Sequence, residues 1–186
     1  MSKQCPAVHA VRRWVEQLVI GERLCPFASR PMAAGTVRFV CSRASTPDDA
    51  YRDLLAEVET LLGVDASVVE TTLLVVPDAL ADFDDYLEVL AAGEDALQEL
   101  GLDSELQIAS FHPDYLFEGE PADDASHYTN RSPYPLFHLL RQASLNRVLE
   151  NWPGDPAEIP RRNRERMREL GVDYLRGLSD ELVARN

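Results

Sequence analysis

Apolar positions change their period several times along the chain, and each change marks an element. Val8, Val11, Val15, Leu18 and Val19 recur at steps of three and four, which predicts an amphipathic first helix ending near Gly21. Thr36–Cys41 alternates and is β-branched, so it reads as a first strand. Thr46 then suits an N-cap, Pro47 the first helical position, and Asp48 and Asp49 complement the helix dipole. In the helix they open, Tyr51, Leu54, Leu55, Val58, Leu61 and Leu62 share one face. Thr71–Val76 is a continuous apolar run, the pattern of a strand covered on both sides. A third helix is expected from about Ala79 to Leu100 with Phe83, Leu87 and Leu90 inward, and Leu106–Phe111 makes a third strand. Beyond Ser132 the pattern reads as helical: one helix to about Asn151, an Arg-rich one to Leu170 closed by Gly171, and a last from Asp173 to Ala184.

This order predicts an α/β protein with a small three- to four-stranded sheet, crossover helices and a helical C-terminal third, about 133–184, packed on the sheet. A fourth short strand at Tyr115–Phe117 would give a ferredoxin-like, split βαβ arrangement; without it the sheet is short and parallel. Parallel and mixed sheets both fit. The 186 residues, 45% apolar and free of repeats or low-complexity linkers, are expected to form one domain, 1–186.

Charge narrows the partners. A net charge of -14 repels phosphate backbones and acidic membranes, so neither nucleic acid nor membrane is expected as a partner. All basic residues but Lys3 are arginine, which fits codon usage as well as function. No apolar run approaches the roughly 20 residues of a membrane span. Arg12, Arg13, Glu16, Glu22 and Arg23 interrupt the N-terminal stretch, against a signal peptide. Cys5, Cys25 and Cys41 show no framework spacing, so reduced thiols and a cytoplasmic location are expected. The pattern carries no signal for a particular cofactor or oligomeric state.

Candidate chemistry concentrates between Gln107 and Arg141. His112-Pro113-Asp114 follows the third strand at its carboxyl end, where open α/β sheets bind ligands. The imidazole could move protons with Asp114 orienting it; equally, Asp114 caps a turn and His112 is half-buried. Asn130-Arg131-Ser132-Pro133 reads as a helix N-terminus beside a guanidinium, suited to a carboxylate or phosphate. The competing reading pairs Arg131 with Asp114, Asp123 or Asp124. His138 and Arg141 fall on the helix expected there, and Tyr115 beside the His112 turn. Cys25, before Pro26, suits the N-cap of a short helical turn, which would lower its pKa; alternatively it is a small buried hydrophobe.

Other site types find less support. Cys25, His112, Asp114, His127 and His138 could bind a metal only by converging from separate elements, since no ligand-spacing motif exists, and no metal residue is assigned. Gly-rich phosphate loops, dinucleotide fingerprints and Gly-x-Ser-x-Gly are absent. Arg161, Arg162, Arg164, Arg166 and Arg168 are interleaved with Glu158, Glu165 and Glu169, as in a solvated, ion-paired helix.

Leu24-Cys-Pro-Phe-Ala28, Ile108-Ala-Ser-Phe-His-Pro-Asp-Tyr115, Tyr128-Thr-Asn-Arg-Ser-Pro-Tyr-Pro135 and His138-Leu-Leu-Arg141 resemble domain of unknown function family 1415, over nearly the whole chain. The resemblance marks Cys25, His112, Asp114, Asn130, Arg131 and His138 as signature positions and implies no role for any of them. The residues themselves point to a small enzyme, a hydrolase or transferase, acting on an anionic small molecule. His112 and Asp114 would supply acid–base chemistry and Cys25 a nucleophile, while Tyr115, Asn130, Arg131, Ser132, His138 and Arg141 bind. The alternative is a metal- or small-ligand-binding module or a protein-interaction adaptor without catalysis.

Overall fold

The structure is a computed structural model and describes residues 5–150 and 152–184. Strands β1 (Val37–Cys41), β2 (Thr71–Val75), β3 (Leu106–Phe111) and β4 (Leu136–Arg141) form one sheet in the order β1-β2-β4-β3. β1 and β2 are parallel, while β4 is antiparallel to both β2 and β3, so the sheet is mixed. The helices are α1 (Pro6–Trp14), continued by a π-helical stretch over Val15–Ile20, then α2 (Ser29–Ala34), α3 (Pro47–Leu62), α4 (Phe83–Glu99), α5 (Gln142–Leu149), α6 (Glu158–Leu170) and α7 (Val172–Ala184).

Local chemistry sets the helix ends. The Thr46 hydroxyl accepts from the Asp49 amide at 3.2 Å, capping α3 where Pro47 fixes the first φ. Gly171, at φ 81°, closes α6 with its amide on the Met167 carbonyl. Helix α4 starts at Phe83 rather than Ala79, because Leu80 sits in the left-handed region (φ 62°) and Asp82 caps the Asp84 and Asp85 amides. Its buried stripe is Tyr86, Val89, Gly93 and Leu97; Phe83 and Leu90 pack half-buried against the same core as expected, whereas Leu87 is exposed, contrary to the sequence pattern. At Gly93 the helix comes close to α3: an added Cβ would stand 2.7 Å from Leu54 Cδ2.

The largest departure from the sequence expectation lies at 133–141. These residues form no helix. Leu136–Arg141 enters the middle of the sheet as β4, and Tyr115–Phe117, expected as a fourth strand, is loop. Proline at 133 and 135 disfavours a helix through this stretch, and Leu136, Phe137 and Leu139 are fully buried between β2 and β3. Helical structure resumes only at Gln142.

Helices cover both faces. Leu74, Phe137, Leu139 and Ile108 pack against α3 and α4 through Leu54, Val58, Tyr86 and Val89. Leu73, Val75 and Leu136 face α1, α6 and α7 through Val11, Trp14, Met167, Leu175 and Leu182. The Tyr86 hydroxyl ties the first core to the sheet, donating to the Leu136 carbonyl and accepting from the Phe111 amide, both at 2.9 Å. Cys5 and Cys41 are joined in a disulfide with Cα atoms 6.3 Å apart, which corrects the expectation of reduced thiols and pins the start of α1 to the end of β1.

Candidate functional site

His138 stands in β4 opposite Leu73, on the α1 side of the sheet. Its Nε2 is 2.8 Å from the Thr71 hydroxyl, and that hydroxyl lies 2.6 Å from the Leu139 carbonyl. A hydroxyl has one proton. Since a carbonyl can only accept, the Thr71 proton goes to Leu139 and Nε2 must be the donor to Thr71. His138 is thereby fixed as the neutral Nε2–H tautomer, with Nδ1 left as an unprotonated acceptor. Burial holds its pKa down to about 4, so it stays neutral at physiological pH.

His138 lines a cavity of about 100 Å³ between the sheet, α1, the Cys25–Met32 segment and α5. Its wall is largely apolar: Trp14, Val15, Val19, Phe27, Leu73, Phe111, Leu140 and Leu145 contribute. Among these stand Cys25, Arg30, Glu70, Thr71, Arg141 and Ser144. A second cavity of about 260 Å³ adjoins the first and shares Val19, Cys25 and Phe111 with it. Its remaining lining includes Phe117, Thr129, Asn130, Asn163 and Arg164.

Cys25 therefore lies on the wall common to both cavities. It is the free cysteine of the described chain. It precedes a turn over Pro26–Ala28, as expected, with the Phe27 and Ala28 amides directed at its sulfur; α2 itself begins at Ser29. Burial raises its pKa, outweighing the Phe27 and Ala28 amides that favour the thiolate, so the expected low-pKa thiol is not formed. Arg141 turns away from anion binding: its guanidinium donates to the Leu61 and Val64 carbonyls at 2.6 Å and to Val69, closing the C-terminal end of α3.

His112 lies across the sheet from Cys25, packed on Phe83 and Tyr86 of α4. It is fully buried; Nε2 donates to the Leu80 carbonyl at 2.9 Å and Nδ1 accepts from the Asp114 amide at 3.0 Å. Both nitrogens are occupied by backbone, and burial lowers the pKa. The Asp114 carboxylate is exposed and orients nothing here; its amide does. His127 repeats the device, with Nδ1 accepting from Phe117 and Nε2 donating to Pro121. Two histidines thus brace the loop between β3 and β4, each with both ring nitrogens on backbone groups.

The other expected residues serve that loop as well. Asn130 donates through Nδ2 to the Ser110 carbonyl at 3.0 Å while its own carbonyl accepts from the His112 amide, and it also reaches the second cavity. Arg131 donates from Nε to the Tyr115 carbonyl and lies 5.0 Å over the Tyr128 ring, outside both cavities. It forms no ion pair with Asp114, Asp123 or Asp124 among the described residues. Ser132 caps no helix; its hydroxyl donates to the Tyr134 carbonyl at 2.6 Å. The Tyr115 hydroxyl meets Ser110 at 3.1 Å. Cys25, His138, Arg141 and Asn130 are therefore gathered at the cavities, whereas His112, Asp114, Tyr115, Arg131 and Ser132 are not. Thr71 and Arg30 were not legible as site residues, although a threonine opening a doubly buried strand is itself a signal.

Among the described residues no group of three or more His, Cys, Asp or Glu side chains could hold a metal ion, and no helix is long and apolar enough to cross a membrane. Fold and cavities together define a mixed four-stranded α/β protein with a thiol and an imidazole on one cavity wall. A family model described as protein of unknown function (DUF1415) matches residues 6–177, and the chain belongs to that family. Neither a curated protein nor a solved structure matches it.

Proposed function

We propose that the protein is an enzyme of the hydrolase or transferase type acting on a small molecule with an apolar body and an anionic group. Cys25 is its nucleophile and His138 its base. The observation that carries this is the Thr71 hydroxyl, which leaves Nδ1 of His138 unprotonated in a ring that lines the same cavity as Cys25. Nucleophile, base and orienting group is the arrangement used for covalent catalysis. A raised thiol and a lowered imidazole keep the resting pair neutral. The thiol proton therefore passes to Nδ1 as sulfur attacks the electrophilic carbon, and imidazolium returns it to the departing group. Water or a second acceptor then releases the acyl group and regenerates the thiol. With Arg141 taken up by the Leu61, Val64 and Val69 carbonyls, Arg30 is the cation on the wall that suits the substrate's anionic group.

The test is a p-nitrophenyl butyrate burst with mass spectrometry of the acylated chain. Stoichiometric acylation at Cys25 is expected, abolished in Cys25→Ala and slowed about 10²–10⁴-fold in His138→Asn. Absence of acylation at Cys25, or an unchanged burst in His138→Asn, overturns the assignment. Butyrate ester binding without acylation would instead favour a ligand-binding module.

A further inference from the structure

Five arginines crowd α6, and four of them have partners. Arg161 pairs with Glu158 and Glu165, Arg162 donates to the Arg23 carbonyl, Arg166 pairs with Glu22 and Glu169, and Arg168 with Asp124 and Glu120. Arg164 makes no hydrogen bond or ion pair with any described residue, and it lines the second cavity. Beside it, Asn163 donates through Nδ2 to the Leu24 carbonyl at 2.6 Å. That bond fixes the amide, leaving Oδ1 buried with no hydrogen-bond partner among the described residues. A permanent cation and a residue with an orphan acceptor, adjacent in sequence, thus line one cavity.

We propose that this second cavity seats a small 2-hydroxycarboxylate, its carboxylate on Arg164 and its hydroxyl donating to Asn163 Oδ1. A guanidinium fork matches a carboxylate in two parallel hydrogen bonds. The charge balance selects the anion. One unpaired arginine neutralises one negative charge, whereas a phosphate monoester carries about -1.5 to -2 near neutral pH, in a protein already at -14. No Asp or Glu lines the cavity, so a neutral hydroxyl suits the orphan acceptor better than an ammonium. The seat deepens the enzyme reading above and rests on it only for the role of Cys25, which would place the thiol at the edge of the bound acid.

Calorimetric titration of the full chain with 2-hydroxybutyrate, butyrate and inorganic phosphate tests this. The hydroxy acid is expected to bind wild type and Arg161→Gln alike and Arg164→Gln about tenfold more weakly. Butyrate is expected to be weaker than 2-hydroxybutyrate on wild type, a comparison that needs no folded variant. Equal binding to Arg164→Gln, butyrate matching the hydroxy acid, phosphate binding more tightly than either, or no binding by any of them overturns the seat. The ester burst reads the thiol separately: hydroxy acid binding without acylation removes the reaction and keeps the seat, and acylation without binding does the reverse.

Discussion

His138 donates from Nε2 to the Thr71 hydroxyl across 2.8 Å, and the tautomer of the whole ring follows from that one contact. Thr71→Val removes the acceptor and strands the ring N–H. The expected cost is about 1–3 kcal/mol of stability, with loss of the single Nε2–H tautomer in imidazole nitrogen NMR spectra. Thr71→Ser should restore both. A valine variant with an unchanged imidazole spectrum would show that Thr71 does not set the tautomer.

The low His138 pKa makes stability depend on pH. Its folded value, about 4, lies below the ordinary 6.5, so between them the unfolded chain binds more protons than the folded one. Stability from this group is complete above about 6.5 and is lost as pH falls toward 4. Allowing for the part of the ring facing the cavity, roughly 2–3 kcal/mol is at stake. His112, lowered by burial, acts in the same direction. Urea melts between pH 7.5 and 4.5 should show a shallower pH slope in His138→Asn than in wild type.

Arg141 collects the carbonyls of Leu61, Val64 and Val69 at the negative end of α3. A lysine keeps the charge but not the fork, so Arg141→Lys is expected to lose about 1–3 kcal/mol, read as a lower denaturation midpoint. A variant as stable as wild type would reduce the contacts to surface decoration.

The Cys5–Cys41 bond closes a loop of 36 residues in sequence separation. Cross-linking such a loop restrains the unfolded chain by about 2–4 kcal/mol. Thiol titration of the unfolded, unreduced protein should find Cys25 alone, and reduction should expose the other pair and lower the melting temperature. Finding all three thiols before reduction would refute the disulfide.

Much of the frame is legible in the sequence because its causes are local. Thr46-Pro47-Asp48 writes the start of α3, and the unbroken apolar run at Thr71 writes a doubly covered strand. Residues 136–141 are not legible, because Leu-Phe-His-Leu-Leu-Arg fits a buried helix and a buried strand equally; its two neighbouring strands decide, and β3 ends 25 residues before it begins. The site divides on the same line. Cys25 and His138 stand out as motif positions, but their common wall depends on β4 being a strand. His-Pro-Asp suggests an acid–base pair, yet the carbonyl of Leu80, far away in sequence, claims the second nitrogen of His112.

The strand order β1-β2-β4-β3 also governs how the chain comes to be folded. The last strand to be synthesised takes an inner place, so until Arg141 has emerged β2 and β3 each present a bare edge and have no contact through the sheet. Everything made earlier must wait as half-sheets for one late insertion, a long-range step of the kind that slows folding and exposes sticky edges. The histidine that lines the cavity arrives on that same strand, so an incomplete sheet has no His138 at its centre.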